Sequence, residues 1–167
     1  NGDLPLLHAA IEMINQKDVL RAVLVNRALP CSFSIVDNRR KNVLHVAAEQ
    51  AAYREGSWQD IIEYLIFRND GINCARMRDD SGRLPIHSAT ANMLSWSNGL
   101  EDITEANFSA LTIPDPVTNL YPFMLAAHGD AALSVPADLT SVYTLLRLNP
   151  ELIRSHARVK DSTHPTN

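Results

Sequence analysis

Cysteine is scarce in this sequence: Cys31 and Cys74 are the only two, and they stand far apart. A disulfide scaffold needs more, and structural zinc needs paired spacings such as C-x-x-C. Both thiols read as small core residues in a reducing compartment, which points to an intracellular chain, in the cytoplasm first and an organelle as the alternative. Aromatic residues make up 6%, too few for a base-stacking platform. Basic residues do not exceed acidic ones; the formal net charge is −4. The broad positive field that draws nucleic acid or an anionic membrane is therefore missing. No apolar run reaches the roughly 18 residues that span a bilayer, so no membrane insertion is expected. The start Asn1-Gly2-Asp3-Leu4 does not have the form of a signal peptide and reads as a processed chain or a piece of a longer one. What remains is a chain of 167 residues, 46% hydrophobic and 20% charged, the balance of one globular domain.

Internal similarity organises that domain. Four short segments align: Pro5-Leu6-Leu7-His8-Ala9-Ala10, Asn42-Val43-Leu44-His45-Val46-Ala47-Ala48, Leu84-Pro85-Ile86-His87-Ser88-Ala89 and Tyr121-Pro122-Phe123-Met124-Leu125-Ala126-Ala127. His8, His45, His87 and Met124 follow one another at intervals of 37, 42 and 37 residues. Each segment reads as a helix start. Pro85 and Pro122 sit where a backbone N–H would have no partner, Asn42 suits an N-cap, and the alanines allow close helix approach. A second apolar stripe follows in three units: Val19, Leu20, Val23, Leu24; then Ile61, Ile62, Leu65, Ile66; then Val142, Leu145, Leu146. Its spacing marks a helix buried along one face. Ser57-Trp58-Gln59-Asp60 has a capping pattern, and Asn69-Asp70-Gly71 reads as a stop. The last helix is bounded by Asp138 and Asn149-Pro150. Two such helices cannot bury their apolar faces alone, so the units must stack.

At this point the sequence resembles the ankyrin-repeat family, whose first helix opens Thr-Pro-Leu-His-x-Ala-Ala behind an Asp-x-x-Gly finger turn. The best match is Asp79-Asp80-Ser81-Gly82-Arg83-Leu84-Pro85-Ile86-His87-Ser88-Ala89; Asp37 precedes His45 by the same eight residues that separate Asp79 from His87. Ile72-Asn73-Cys74-Ala75 resembles the strand leading into a finger. The family threonine is replaced by Pro5, Asn42, Leu84 and Tyr121, only Gly82 keeps the finger glycine, and Met124 replaces the fourth histidine. The resemblance implies an all-α ankyrin-repeat solenoid of about four helix-turn-helix units with short hairpin fingers. The repeat domain is expected over 1–155, with units 1–36, 37–78, 79–115 and 116–155, and a polar tail over 156–167. Insertions fall between the paired helices, at Gln50–Ser57 and Gly129–Ala137. The second helix of the third unit is expected over Leu100–Leu111, with Leu100, Ile103, Asn107/Phe108 and Leu111 on one side, ending before Thr112-Ile113-Pro114-Asp115-Pro116.

Little in the sequence points to bond-making chemistry. Zinc needs imidazole nitrogens at about 2.0–2.1 Å, whereas stacked helices lie about 8–10 Å apart; His8, His45 and His87 are expected to be structural. Asp79-Asp80-Ser81-Gly82 lacks the alternating ligands and terminal glutamate of a calcium loop. No G-x-S-x-G, P-loop, G-x-G-x-x-G or H-E-x-x-H occurs, so no enzyme activity, metal or cofactor is expected. Arg39-Arg40-Lys41 reads either as a solvated turn or as a site for a phosphate or acidic partner. Trp58 is expected to close over its loop; Trp96 is either a packing residue or an exposed anchor.

The expected function is non-enzymatic binding of another protein through the concave finger and first-helix surface. By resemblance the contacts fall on Asn38, Arg39, Lys41, Glu49 and Gln50 in the second unit, Asp80, Ser81, Arg83 and Asn92 in the third, and Thr118 and His128 in the fourth. The alternative is a structural subunit or scaffold domain packed permanently in a larger assembly.

Overall fold

The structure, a computed structural model, describes residues 6–14, 18–20, 35–53, 56–67, 71–128 and 137–151. Among them the helices are α1 (Leu6–Met13), α2 (Val43–Tyr53), α3 (Gln59–Phe67), α4 (Gly71–Cys74), α5 (Pro85–Ala91), α6 (Leu100–Ala106), α7 (Pro122–His128) and α8 (Leu139–Leu148). Short 3-10 turns cover Trp96–Asn98 and Phe108–Thr112. Residues 18–20 are also helical, with Leu20 buried, and Val23 and Leu24 lie outside the described residues. No strand occurs among the described residues; one isolated antiparallel bridge joins Val36 and Asn42. The described part is thus all-α.

Helices that begin on the repeated segment form one row: α1 packs on α2, α2 on α5, and α5 on α7. Behind them α3 packs on α2, α6 on α5, and α8 on α7, while α3 and α6 lie side by side. Small residues make the row possible. Ala47, Ala48, Ala51, Ser88 and Ala89 are fully or almost fully buried at helix contacts, where larger side chains would push the axes apart. Leu44, Ile61, Ile62, Leu65, Ile86, Leu100 and Ile103 fill the space between the rows. Burying a side chain of this size contributes about 1.5–3 kcal/mol.

The helix ends follow from local chemistry. Asn42 Oδ1 accepts the N–H groups of Leu44 (3.0 Å) and His45 (3.1 Å), capping α2. Pro85 opens α5. Asp138 caps α8, accepting the Thr140 N–H at 3.1 Å, and Asn149 ends it. Before α3 the cap falls on Trp58, one residue past the serine of the pattern; its carbonyl accepts both Ile61 and Ile62 N–H at 3.0 Å. Trp58 occupies that position because its ring is buried in the core.

Three expectations need correction. Residues 72–75 form no strand: Gly71–Cys74 is a helical turn, closed by the Ala75 N–H on the Gly71 carbonyl (3.1 Å). Gly71, Cys74 and Ala75 are buried while Ile72 and Asn73 are exposed, the i, i+3, i+4 pattern of a helix and not the alternation of a strand. The insertion expected as a loop from Gln50 instead begins by lengthening α2 to Tyr53, through Ala51, which is buried, and Ala52, both strong helix formers. The helix expected over Leu100–Leu111 breaks at Asn107 (φ −147°, ψ 69°) into α6 and a 3-10 turn. There the Asn107 side chain donates to the Ala75 carbonyl at 2.9 Å, and Phe108, expected on the packed side, is exposed. The insertion at 129–136 and the tail 156–167 lie outside the described residues.

The connection from α5 to α6 is fastened on both sides. Asn98 Oδ1 accepts the Trp58 N–H, and its Nδ2 donates to the Ala51 carbonyl at 3.3 Å. Trp96 is half-buried, and its N–H reaches Asp138 Oδ2 at 3.4 Å. One loop residue therefore satisfies the end of α2 and the start of α3 together. Replacing Asn98 with alanine orphans both groups and should lower unfolding free energy by about 1–3 kcal/mol in urea titration. An unchanged midpoint would show that the loop is not a brace.

Candidate interaction surface

Three turns precede the repeated helices, and each is organised by an aspartate. Asp37 N–H donates to the Lys41 carbonyl (2.9 Å), while Asp37 Oδ1 accepts the N–H groups of Arg39 (2.9 Å) and Lys41 (2.8 Å). Asp79 repeats the arrangement: its N–H reaches the Arg83 carbonyl (2.9 Å), and its Oδ1 accepts Ser81 (2.9 Å) and Arg83 (2.8 Å). Asp115 builds a turn one residue longer, closing on the Leu120 carbonyl at 2.8 Å. The residue before each closing residue has positive φ: Arg40 at 57°, Gly82 at 80°, Asn119 at 59°. Glycine enters that region without steric cost and asparagine readily; arginine does so rarely.

Histidines join these turns to the preceding helices. His8 Nε2–H donates to the Lys41 carbonyl (2.8 Å), His45 Nε2–H to the Arg83 carbonyl (3.1 Å) and His87 Nε2–H to the Ile113 carbonyl (2.9 Å). A carbonyl only accepts, so each ring carries its proton on Nε2. In a neutral ring Nδ1 is then an acceptor: it takes the Leu84 N–H in His87 (3.1 Å) and the Asn42 N–H in His45 (3.3 Å), while Asn42 Oδ1, 2.9 Å from His45 Nδ1, accepts the Leu44 and His45 N–H groups. His8 Nδ1 is buried without a partner; the residue three positions earlier is Pro5, which has no N–H to give. Burial pushes the His45 and His87 imidazoles below their usual value, against the raising effect of the carbonyl bonds to Arg83 and Ile113 and of nearby carboxylates.

The ion pairs lie behind the turn tips. Lys41 Nζ holds both oxygens of Glu49, at 2.7 and 2.8 Å. Arg83 grips Asp115 through Nε (2.8 Å) and Nη2 (2.7 Å), which ties the second described turn to the third. Burial would raise the fully buried Asp115 carboxyl, but hydrogen bonds from Arg83 and Thr118 and the Arg83 charge hold it below the usual range. Hydrogen bonding to Asp115 in turn raises Arg83.

No protein-family model and no curated protein matches this sequence. The surface is therefore read from its own residues.

Of the residues expected to contact a partner, Asn38, Arg39, Asp80 and Ser81 are exposed at neighbouring turn tips. The structure brings those tips together: the Asp80 N–H donates to the Arg39 carbonyl at 2.9 Å. Lys41, Glu49 and Arg83 are half-buried in the ion pairs above. Asn92 folds back, donating to the Ser88 carbonyl at 2.7 Å. Thr118 donates its hydroxyl to Asp115 Oδ2 at 2.7 Å. Gln50 is half-buried on α2, and His128 is exposed at the end of α7. Sequence reading missed Asp115, which organises the third turn; Arg40, noted there within the basic run Arg39-Arg40-Lys41 but left out of the contact set, is exposed beside Arg39. Among the described residues no group of three or more His, Cys, Asp or Glu side chains is placed to hold a metal, and no helix is long and apolar enough to cross a membrane.

Three outcomes follow from this geometry. His45→Ala removes the tie to Arg83 and should cost about 1–3 kcal/mol, read as a drop in thermal midpoint; an unchanged melt would contradict the tie. Removing Arg83 leaves a buried carboxylate short of its cation, so Arg83→Ala should cost about 3 kcal/mol in urea unfolding at neutral pH. A loss no larger than that of a surface pair would mean that Asp115 is solvated. The lowered histidines make the unfolded chain bind more protons just below the ordinary histidine value of about 6.5. Stability should be full above that pH and fall as pH drops through the window toward the folded values, by at most about 1.4 kcal/mol per unit for each histidine. Asp102, raised first by burial and then by Glu63, acts in the opposite sense between the usual aspartate range and its raised value. Asp115 acts in a separate window, contributing above the usual aspartate range and losing its contribution as pH falls through its lowered value. Flat stability from neutral pH to pH 5 would contradict the buried neutral rings.

Proposed function

We propose that this chain is a non-enzymatic protein-interaction module of the ankyrin-repeat type, binding its partner along the edge formed by the turn tips and the helices that follow them. One observation carries the reading: polar tips at Asn38–Arg39 and Asp80–Ser81 stand exposed side by side, joined by the Asp80-to-Arg39 backbone bond. The groups behind them are occupied within the fold. A rigid row of varied, solvated side chains suits recognition by shape and charge. The expected architecture of about four stacked units belongs to the same proposal; the row of α1, α2, α5 and α7 supports it.

A second reading, a subunit packed permanently in a larger assembly, is favoured by Phe67, Leu139 and Tyr143, which are 71%, 77% and 66% exposed on the helices behind the row. The experiment compares three forms as capture baits in extract from the source cells. These are the wild type, a tip variant (Asn38→Ala, Arg39→Ala, Asp80→Ala, Ser81→Ala) and a rear variant (Phe67→Ser, Tyr143→Ser). The module reading expects proteins retained by wild type to be lost by the tip variant and kept by the rear variant, with the melting curve of the tip variant unchanged. Loss from the rear variant alone, together with aggregation of the isolated wild type, would establish the subunit reading instead.

A further inference from the structure

Two turns share one hydrogen-bond plan and a third, closed one residue later, places the same positive φ before its closing residue, which allows a comparison within one molecule. The positive-φ position is filled by Gly82 in one and Asn119 in another, residues that suit the backbone. In the first described turn it is filled by Arg40 at φ 57°. Arginine is the costly choice for the backbone, so the turn itself gives no reason for it. Unfavourable backbone positions kept in a fold mark places where the side chain serves another end. The Arg40 side chain is exposed, as is that of Arg39 before it.

The charges around them sharpen the point. Lys41 is paired with Glu49, Arg83 with Asp115, and Arg78 Nη1 donates to the Gly82 carbonyl at 2.7 Å. Asp37 turns its Oδ1 onto the backbone of its own turn. Arg39 and Arg40 form no ion pair with any described residue. Across the Asp80-to-Arg39 backbone bond the sign reverses, because Asp80 and Ser81 are exposed there. The outermost side chains are therefore cationic at one tip, Arg39 and Arg40, and anionic at the next, Asp80, with the exposed Arg78 keeping its charge behind that second tip on the neutral Gly82 carbonyl.

We infer that Arg39 and Arg40 form the acid-recognising end of this edge, and that the partner is a protein segment of patterned charge. Its carboxylates lie opposite Arg39 and Arg40, and a cationic or hydroxyl residue follows opposite Asp80 and Ser81. This rests on the interaction-module reading and specifies the partner for that surface. A uniform polyanion such as nucleic acid fits poorly: it would meet Asp80 beside Arg39, on a chain of net charge −4. Guanidinium groups suit carboxylates because they donate two parallel hydrogen bonds.

The test uses the full chain and an array of short labelled peptides in which glutamate, lysine and serine are permuted, with duplex DNA and phosphatidylserine vesicles as further probes. Peptides with an acidic end followed by lysine or serine should bind best, ahead of all-acidic and charge-reversed sequences, and should weaken as salt rises. The variant Arg39→Ser/Arg40→Gly writes the residues of the second turn, Ser81 and Gly82, into the first. It should bind the best peptide about tenfold more weakly, the loss expected of two exposed pairs, with its melting temperature unchanged or raised. A lowered melting temperature would make Arg40 a folding residue and overturn the inference, as would tighter binding of DNA, vesicles or all-acidic peptides. Peptides lost on Asp80→Ala/Ser81→Ala but not on Arg39→Ser/Arg40→Gly would overturn it while leaving the module reading standing. An array without any binder would count against both.

Discussion

An imidazole Nε2–H that reaches a carbonyl in or just before a following turn is the contact on which the rest of this structure depends. The carbonyls of Lys41 and Arg83 each take two donors, the aspartate N–H of their own turn and the histidine of the preceding helix. Turn closure and helix-to-turn docking thus share one oxygen. A single contact of this kind contributes only about 1 kcal/mol net, but losing it orphans a buried ring, a larger penalty. Where Nδ1 also accepts a backbone N–H, from Leu84 in His87 and from Asn42 in His45, the ring must be uncharged, and burial pushes both below their usual value.

Rigidity at the base of each turn explains why the tips are available. Aspartate oxygens satisfy the turn N–H groups, Glu49 neutralises Lys41, and Asp115 neutralises Arg83. Side chains at Asn38, Arg39, Arg40, Asp80 and Ser81 are not needed for that purpose and stand in solvent. A surface held this way loses little conformational freedom on binding, which is the condition for modest polar contacts to give useful affinity.

Much of this was legible in the sequence, for reasons that particular residues make clear. The starts of α2, α5 and α7 were readable because Asn42, Pro85 and Pro122 act through local chemistry, as Asp138 does for α8. Asp37 and Asp79 were findable at a fixed distance before a histidine. Asp115 was not: its turn is one residue longer and Met124 replaces the histidine, so both markers are missing. The Arg83–Asp115 pair joins residues 32 apart, a separation on which no local pattern reports. The helical turn at Gly71–Cys74 shows its i, i+3, i+4 pattern only in burial, since Ile72 is apolar yet exposed, and resemblance to a strand-led finger pointed elsewhere. At Asn107 a contact with the Ala75 carbonyl decided the local structure, and tertiary contacts of that kind override propensity. Among the eleven residues expected to meet a partner, resemblance chose positions by register. Register alone does not distinguish Arg39, in solvent, from Arg83, locked to its neighbour.

Nitrogen-15 NMR of the imidazole rings addresses the histidine ties most directly. Each tautomer has distinct ring-nitrogen shifts, and a buried, bonded Nε2–H exchanges slowly with water. At neutral pH, His45 and His87 should each show a single neutral Nε2–H tautomer, with the ring proton visible and slow to exchange. Averaged shifts of two tautomers, or rings that titrate like free histidine, would contradict the account.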